Sequence, residues 1–469
     1  MLNAECSMLN TRSNWVRLAG LLSVVVAASC AVKAPPDAAT IKTEAMPTVQ
    51  VPTVWRPGLS GIVAADWLTG FQDPQLTAAV TEAIAHNADL LVAATRVEQA
   101  LLYAKQAGAR LYPSADLLAR GGGKMSGDGS GLQGGVMTVT WELDLWARVR
   151  YGRAAAAATA AAAQADYTFA RESIAAQVAR TWFLAIEATL QAEVARGTVR
   201  DSEELVRLAQ DRSRVGVGND EDVYVARANV GTGRDVLRQL ELAREDAIRA
   251  LELLLGRYPA AATVVTPQLP SQPEAVPVGL PSELLERRPD VIAAERRIAA
   301  AFHRVGEAKA ARLPAIALTT GVSSISSELF VLKDRDNPIW NFGANLLMPL
   351  FRGGALKTQV EIRTAEQKQA VAEYASIGLR AFGEVESALS AEFAAREREQ
   401  ILVQTMADSQ RALDIVRTQF KVGSTDLRFV TQRQLALLST QSALVRMRAE
   451  QRIQRVNLHA ALGGGFARP

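Results

Sequence analysis

Two segments of the chain alternate between apolar and polar residues with a period of two, which is typical of a β-strand with one apolar side. They span residues 136–146 and 340–350, and weaker strands are predicted at 115–120 and 316–322. A sheet packed on a helical core would show the same alternation, so the strands alone leave a soluble and a membrane interpretation open. In the membrane interpretation, the residues predicted to face lipid are Met137, Val139, Trp141 and Leu143 in the first strand and Trp340, Phe342, Leu346 and Met348 in the second.

Long helices are predicted after each strong strand. Residues 152–211 and 354–421 contain no proline and are rich in helix formers. At 1.5 Å per residue they give about 90 Å and about 100 Å of helix. Such lengths exceed those of globular proteins and indicate a coiled-coil or tunnel architecture. Further helical segments are predicted at 74–110, 221–256, 281–312 and 427–462.

The order helix, strand pair, long helix and second helix occurs twice, and matching residues keep a slowly growing spacing. Arg96 matches Arg297 at an offset of 201, and Gly216 matches Gly423 at an offset of 207. Small loop insertions produce such a drift, so the chain is predicted to hold two copies of one unit. The predicted divisions are a signal peptide at 1–29, an extended N-terminal arm at 30–72, a first repeat at 73–258, a Pro-rich linker at 259–281, a second repeat at 282–463 and a tail at 464–469.

The two turns that join the paired helices are the candidate functional site. Each turn has Gly after a basic last helical turn and Asn or Asp before the next helix. Capping alone accounts for Gly216, Gly423 and Asn219. The charged residues of the same turns would form rings at an aperture if several copies assembled around a tunnel. The predicted gate residues are Gly216, Asp220, Glu221, Asp222, Gly423, Asp426 and Arg428.

The N-terminus has the pattern of a secretory signal peptide, with a basic flank, a short apolar run at 18–28 and small residues before Cys30. A Cys at this place resembles a bacterial lipobox, in which the Cys becomes the first residue of the mature chain and carries lipid. Ala27 stands where Leu is usual in that pattern. Ala31 follows the Cys, and the absence of Asp there favours the outer membrane. We therefore expect an outer-membrane lipoprotein that is lipidated at Cys30.

Composition and charge exclude several classes of function. The 469 residues include 52 Lys and Arg against 49 Asp and Glu, and a net charge of +3 is not the footprint of a nucleic-acid-binding protein. Two Cys and three His provide neither a disulfide framework nor a zinc site. The Gly-rich stretch at 121–124 lacks the spacing of a phosphate-binding loop. We therefore expect no metal, no cofactor, no nucleic-acid partner and no catalytic residues.

A membrane interpretation of the strands requires an assembly of several chains. Strands of about 10 residues cross a bilayer only in a closed barrel, because an open edge would leave backbone groups unpaired in lipid. Bacterial barrels begin at about eight strands, so four strands per chain cannot close alone. Three chains would provide twelve strands.

Three strings of residues, at 141–150, 280–291 and 456–465, resemble the TolC-like outer membrane efflux factors, in the lipoprotein branch of the OprM and NodT type. The resemblance runs from Cys30 to the C-terminus. It implies a mainly α fold with membrane β-structure: a homotrimer whose twelve-stranded outer-membrane β-barrel continues into a long periplasmic α-helical barrel. It also implies a periplasmic membrane-fusion adaptor protein and an inner-membrane RND pump as partners, and a gate at the turns 216–222 and 423–428.

These observations predict the exit duct of a tripartite efflux pump, which passively conducts small toxic compounds or drugs to the exterior and is not an enzyme. An exit duct for type I protein secretion remains open, as does a non-conducting, lipid-anchored periplasmic coiled coil. A lipid-anchored hydrolase would need a converging acid, base or nucleophile. Neither His86 nor His303 has an obvious partner in the sequence.

Overall fold

The computed structural model describes residues 32–52, 55, 66–120, 133–273, 281–326 and 339–465. The predicted signal peptide and Cys30 lie outside the described residues, as does most of the Gly-rich loop at 121–135. The described helices are α1 (Ala38–Ala45), α2 (Pro74–His86), α3 (Ala88–Ala109), α4 (Arg148–Arg214), α5 (Asp220–Leu254), α6 (Leu284–Arg287), α7 (Pro289–Ala310), α8 (Ala355–Lys421) and α9 (Leu427–Ala461), and the described strands are β1 (Ser114–Arg120), β2 (Gln133–Leu143), β3 (Ala315–Ser326) and β4 (Ile339–Leu347).

The chain divides into two compact units. The first unit comprises Thr95–Ala165 and Ala293–Ser376 together with the N-terminal residues up to Thr48, and it contains all four described strands. The second unit comprises Val49–Ala94, Asp166–Ile292 and Ile377–Pro469, and it contains both turns between paired helices. The predicted strands and the predicted gate turns therefore belong to different units.

The paired helices repeat with the same lengths in the two halves of the chain. α4 and α8 have 67 residues each, and α5 and α9 have 35 each. Both ends of each second-half helix lie 207 residues after those of its first-half counterpart, and α7 lies 201 residues after α3. These are the offsets that the sequence predicts. A mainly α fold with four antiparallel strands per chain and an internal repeat is therefore confirmed.

The helical segments predicted at 74–110 and 281–312 are each interrupted by one extended residue at matching positions, Asn87 and Arg288. The Asn87 side-chain oxygen accepts hydrogen bonds from the N–H groups of Asp89 and Leu90, at 2.9 and 3.3 Å, and so starts α3. Arg288 precedes Pro289, which disfavours helical backbone in the residue before it and has no N–H of its own.

The two interrupting residues also make the same long-range contact in each half of the second unit. The Asn87 Nδ2 donates to the Leu254 carbonyl at 3.0 Å, and the Arg288 Nη1 donates to the Ala461 carbonyl at 3.1 Å. Both acceptors are last residues of their helices, α5 and α9, where carbonyls have no helical partner. The Arg288 side chain is further held by Asp290 and Glu384. The Arg-Pro-Asp string is thus a cap for the end of α9.

Gly256 follows the end of α5 and lies against the first of these interruptions. Its φ is +75°, and a Cβ there would lie 2.7 Å from the His86 carbonyl oxygen. Its counterpart Gly463 has a φ of +64° and more room, with 3.1 Å to the nearest atom. We expect Gly256→Ala to lower the free energy of unfolding by about 3 kcal/mol, from the left-handed conformation and the overlap together.

Gly463→Ala is the matched control for this prediction, since the backbone conformation is similar and only the overlap is relieved. It should cost about 1–2 kcal/mol. Denaturant titrations followed by circular dichroism would measure both variants. Equal losses for the two glycines would contradict the assigned overlap at His86.

The four strands of the first unit form one antiparallel sheet in the order β1-β2-β3-β4. β2 ends at Leu143, earlier than the predicted 146, because the Asp144 carboxylate accepts hydrogen bonds from the N–H groups of Val149 and Arg150, both at 2.9 Å, and starts α4. β4 ends at Leu347 rather than at 350. Met348 therefore lies one residue beyond the strand in which it was predicted.

The core of the second unit is built from α2, the middle of α4 and the ends of α5 and α9. Phe71 and Phe183 are fully buried there with ring centroids 5.1 Å apart. α9 places charged and polar side chains in this interior, among them Arg455, which has no exposed surface, and His459. None of the described helices is both long enough and apolar enough to cross a membrane.

His459 makes the stability of this core sensitive to acid. Its ring stacks on Trp67 with centroids 5.9 Å apart, and burial, aided by the charge of Arg455, lowers its pKa from 6.5 to about 4. Between pH 6.5 and 4 the unfolded chain therefore binds a proton that the folded chain does not. The free energy of unfolding contributed by this group is complete above pH 6.5 and is lost as the pH falls towards 4.

We expect His459→Gln to lose less stability than the native protein over this acidic range, by about 3 kcal/mol. Denaturation midpoints measured across the range would test it. The exposed His86, replaced by Gln, is the control and should keep the native acid profile. An unchanged profile in the His459 variant would contradict the neutral, buried imidazole.

Candidate functional site

Both turns between the paired helices end their first helix in the same way. Gly216 and Gly423 have φ of +78° and +83°, in the left-handed region that glycine tolerates. In the first turn, the N–H groups of Gly216 and Val217 donate to the Ser213 and Arg212 carbonyls, each at 3.0 Å. The second turn has the equivalent pair of bonds at Gly423 and the residue after it, at 3.1 and 2.9 Å. This is the Schellman arrangement, so the predicted capping glycines have that structural role.

The two turns start their second helices differently. Asn219 caps α5 with its side-chain oxygen, which accepts a hydrogen bond from the N–H of Asp222 at 2.8 Å. Asp426 holds the same position before α9 but makes no side-chain capping bond. Its carboxylate is therefore not used in ending the turn, and it stays exposed beside the positive end of α9.

Arg212, near the end of α4, joins the two turns of one chain. Its Nη1 donates to the Phe420 carbonyl at the end of α8, and its Nη2 donates to the Val217 carbonyl at 3.3 Å. The guanidinium also lies over the Phe420 ring, with Cζ 4.6 Å from the ring centroid. The Phe420 side chain is buried, so one cation holds both the backbone and the ring of the opposite turn.

The predicted acidic residues gather near this contact. The Ser213 hydroxyl donates to Asp220 at 2.9 Å, and Glu221 and Asp426 are exposed. Partial burial raises the pKa of Asp222, as do the negative charges of Asp426 and Glu221, while Arg212 opposes the shift. The turns therefore bring Asp222 and Asp426 within electrostatic reach of each other. The remaining predicted residue, Arg428, is exposed with its guanidinium over Phe429, 5.3 Å from the centroid.

A hydrophobic cluster lies beneath the turns and joins the two helix pairs. It draws on all four long helices of the second unit, so the turns rest on packed side chains. Three apolar side chains of the turns, by contrast, are largely exposed: Val215, Val217 and Val422. The buried members of the cluster are Leu205, Ala209, Val223, Ala226, Leu413, Phe420, Leu427, Val430 and Leu437.

The sheet of the first unit aligns the predicted apolar residues across all four strands. Residues paired directly across antiparallel strands share a face, so each row of partners can be read from the register. Leu117, Met137, Val322 and Trp340 form one row, and Trp141 pairs with Leu318. Further rows on this face are Ala115, Val139, Thr320 and Phe342, and Leu143, Ile316 and Leu346.

The two faces of the sheet differ in chemistry. The face that carries these rows exposes large side chains, including Leu117 at 74%, Trp340 at 75% and Phe342 at 78% of their surface. The other face is mixed: one row is polar or small, with Asp116, Thr138, Gly321 and Asn341, and another carries Leu118, Val136, Ser323 and Ile339. Among the described residues, no cluster of His, Cys, Asp and Glu could hold a metal ion.

Arg212 and Phe420 are functional candidates that the sequence pattern does not identify. A cation in the last turn of a helix is ordinary, and the partner is 208 positions away along the chain. The internal repeat is the sequence feature that could have indicated this contact, because it predicts that both turns lie at the same end of their helices.

A family model described as "Outer membrane efflux protein" matches residues 79–257 and 280–464. The cation efflux system protein CusC of Escherichia coli O6:H1 is 29% identical over 438 residues, which cover 90% of this chain and 94% of that protein. The pyoverdine export outer membrane protein OpmQ of Pseudomonas putida is 29% identical over 422 residues, covering 85% and 88%.

Solved structures agree with these matches. The structure of the outer-membrane channel OprN is similar with a TM-score of 0.79 and 26% identity, covering 93% of this chain and 98% of that one. The relatives are channels and export proteins rather than enzymes. The resemblance seen in the sequence, the outer-membrane location and the role as an efflux duct are thereby confirmed, and the chain belongs to the outer membrane efflux protein family.

Proposed function

We propose that three copies of the chain form a passive duct whose twelve strands close a barrel in the outer membrane and whose helices form a periplasmic tunnel. The observation that carries this proposal is the sheet. It has one exposed apolar face, and its outer strands β1 and β4 each pair on one side only among the described strands. Unpaired edges are too costly in lipid, so the sheet is suited to closure with other copies.

In this assembly the apolar face contacts lipid and the polar face lines water. Met137, Val139, Trp141, Leu143, Trp340, Phe342 and Leu346 then lie in the membrane-facing rows, with Met348 at their end. Cys30 anchors the N-terminus by its lipid and adds a second attachment to the same membrane. A duct of this kind needs no catalytic residue, because a polar lining and charged constrictions are sufficient to conduct and select.

The turns form the periplasmic aperture in this proposal. Asp220, Glu221, Asp222 and Asp426, repeated in three copies, place rings of carboxylates there, and Arg428 adds cations at the rim. Gly216 and Gly423 fix the shape of the turns. Arg212 holds the two turns of each chain together and so favours a narrow aperture.

A periplasmic membrane-fusion adaptor and an inner-membrane RND pump complete the proposed system. The exposed side chains of Val215, Val217 and Val422 give the turns an apolar surface for the adaptor. CusC is a cation efflux system protein and OpmQ is a pyoverdine export protein, and each is 29% identical to this chain. Such different cargoes favour selection by the pump, with the duct accepting what the pump delivers.

Conductance across a planar lipid bilayer tests the proposal. The purified full-length protein should insert and give discrete current steps, and its mass in detergent should be that of three chains. The acidic rings should make the channel cation-selective, as measured by the reversal potential in a salt gradient. The double variant Asp222→Asn with Asp426→Asn should shift the reversal potential towards anions.

Asp235→Asn is the matched control, because Asp235 is exposed on α5 away from the turns and, within the part of the chain that the structure describes, accepts a hydrogen bond from Gln239 at 2.8 Å. It should leave the selectivity unchanged. A protein that inserts into bilayers but carries no current, in both native and neutralised forms, would exclude the duct. Equal shifts of the reversal potential in the control and the double variant would contradict the placement of these carboxylates at the aperture.

A further inference from the structure

A groove of about 860 Å³ lies in the second unit, in a region that neither the turns nor the sheet uses. α4, α8, the end of α9 and Arg288 line it, and the lining residues of α4 and α8 recur at helical spacing, so each helix presents one face. Every lining residue belongs to the second unit of one chain. Small-molecule sites have volumes of about 300–1,000 Å³, so the groove has room for one small organic molecule.

Small side chains create this room. Five alanines line the groove, and the Phe169 ring, which is 38% exposed, adds an aromatic surface. Most of the lining is therefore apolar, which suits the body of an organic molecule better than a hydrated inorganic ion. The alanines are Ala176, Ala388, Ala391, Ala460 and Ala461.

Arg180 brings a positive charge into this groove without a carboxylate partner. Its Nη1 donates to the Asn457 Oδ1 at 3.0 Å, and its Nη2 donates to the Gln177 Oε1 at 3.2 Å. Both acceptors are neutral amides, and burial lowers the pKa of Arg180. Among the residues that the structure describes, none forms a salt bridge with it. A half-buried guanidinium without a counter-charge costs free energy, which an anionic ligand would recover.

The other charged residues follow Arg180 along the groove. Arg288 donates to the carbonyl of Ala461, one helical turn of α9 beyond the Asn457 that Arg180 contacts. At this level Arg288 pairs with Glu384 of α8 at 2.5 Å, and with Asp290 as described above. Arg288 is therefore already engaged by carboxylates.

Arg380 lies one helical turn of α8 from Glu384 and is a second cation in the lining. α8 and α9 run in opposite directions, so this turn lies on the far side of Glu384 from Arg180. Arg380 is exposed, and no salt bridge to it occurs within the described ranges. The groove thus has one arginine without a carboxylate towards each end.

Glu172, the remaining acid of the lining, does not supply the missing charge. Burial raises its pKa to about 7, against the opposing charge of Arg171. Asp290 adds to the shift and Arg288 opposes it. Near neutral pH the Glu172 carboxyl is therefore protonated in about half of the molecules. The lining then carries three arginines against Glu384 and a half-ionised Glu172, which is a net positive set.

We propose that the groove binds a small organic acid, whose carboxylate pairs with Arg180 and whose apolar body lies on the alanines. The amides occupy two of the five N–H donors of Arg180, so donors remain for a carboxylate. Arg380 adds attraction from the other end without contacting the carboxylate. The site lies within one chain, so the inference goes beyond the proposed duct and does not depend on it.

Fluorine NMR of 4-fluorobenzoate tests the site on the purified full-length protein in neutral detergent at pH 7. The protein should broaden the probe signal saturably, relative to detergent alone. Arg180→Gln should weaken binding about tenfold, because a charge-assisted hydrogen bond is lost. Arg380→Gln should weaken it about threefold, since only a more distant charge is removed. Ala391→Leu should weaken it about tenfold by filling the groove while every charge is kept.

Arg200→Gln is the matched control, because Arg200 is exposed on the same helix as Arg180 and does not line the groove. It should bind the probe like the native protein. The neutral analogue 4-fluorobenzyl alcohol should bind about tenfold more weakly than the acid. Equal weakening in Arg180→Gln and Arg200→Gln, or equal affinity for the acid and the alcohol, would overturn the inference.

Binding and conductance are measured separately, so the two proposals can fail separately. A native protein that carries current but gives no saturable broadening with millimolar probe would reject the organic-acid site and leave the duct intact. A protein that binds the probe but carries no current would reject the duct and support the site. Circular dichroism checks that each variant is folded, and the exposed Arg380 provides a substitution outside the packed interior.

Discussion

Replacing Arg212 with alanine is expected to raise the ratio of open to closed channel about 100-fold in bilayer recordings. The native side chain donates to two carbonyls, one in each turn, and lies over the buried Phe420 ring. A charge-assisted hydrogen bond contributes about 1.5–3 kcal/mol, and a cation–π contact adds about 0.5–1 kcal/mol. If the turns form the aperture as proposed, widening it requires the two turns of a chain to separate, so a loss of about 3 kcal/mol from the closed form corresponds to this ratio.

Arg214→Ala is the matched control, because Arg214 lies two residues further along α4 and carries the same charge. Its side chain is 77% exposed and, among the described residues, pairs with Asp211 at 2.7 Å on the same helix. Surface pairs of this kind contribute about 0–1 kcal/mol, so the control should gate like the native protein. Arg212→Lys should fall between the two, since lysine keeps the charge without the two-armed geometry.

The same recordings decide between two roles for Arg212. A variant that keeps the native gating but unfolds at lower denaturant concentration would make Arg212 a structural residue only. A variant that opens more often, with the cluster around Phe420 still folded by circular dichroism, supports the tie between the turns. Gating that changes equally in Arg212→Ala and Arg214→Ala would point to net charge at the turn rather than to the contact.

Local patterns in the sequence were sufficient to predict the elements and the faces they present. Alternation along β2 and β4 places Met137 and Trp340 on one face, and the observed register puts both in the same row. Helix propensity and the absence of proline predict α4 and α8 to within a few residues. The internal repeat also predicts which helices pair, because α4 and α5 in the first half correspond to α8 and α9 in the second half and are expected to make equivalent contacts.

Contacts between residues far apart in the sequence could not be predicted in this way. The helix interruption at Asn87 depends on a carbonyl 167 positions away, and Arg212 depends on one 208 positions away. A charged residue within a helix is usually solvated, so nothing local separates such side chains from their neighbours. The most extreme example is Arg455, which a pattern of helix-forming residues would place on the surface.

Glu392→Ala is expected to lower the free energy of unfolding by about 3–5 kcal/mol, because it leaves the buried Arg455 without its carboxylate. Arg455 has no exposed surface, and its Nη2 lies 2.5 Å from the Glu392 Oε1. Glu392 also accepts from Arg396 at 3.3 Å, but that side chain is 55% exposed and can turn to solvent. The loss should therefore come from the desolvated charge of Arg455. Denaturant titration of the purified protein measures it.

A second variant separates the cost of burying the Arg455 charge without Glu392 from the loss of packing. Removing both partners in Glu392→Leu with Arg455→Met keeps the interior filled and buries no charge, so it should recover most of the lost stability. Asp211→Ala, which breaks an exposed pair, should cost about 0–1 kcal/mol and calibrates the scale. If the double variant were as unstable as Glu392→Ala, the pair itself would be the source of stability. Recovery would instead mean that the core tolerates apolar residues at both positions.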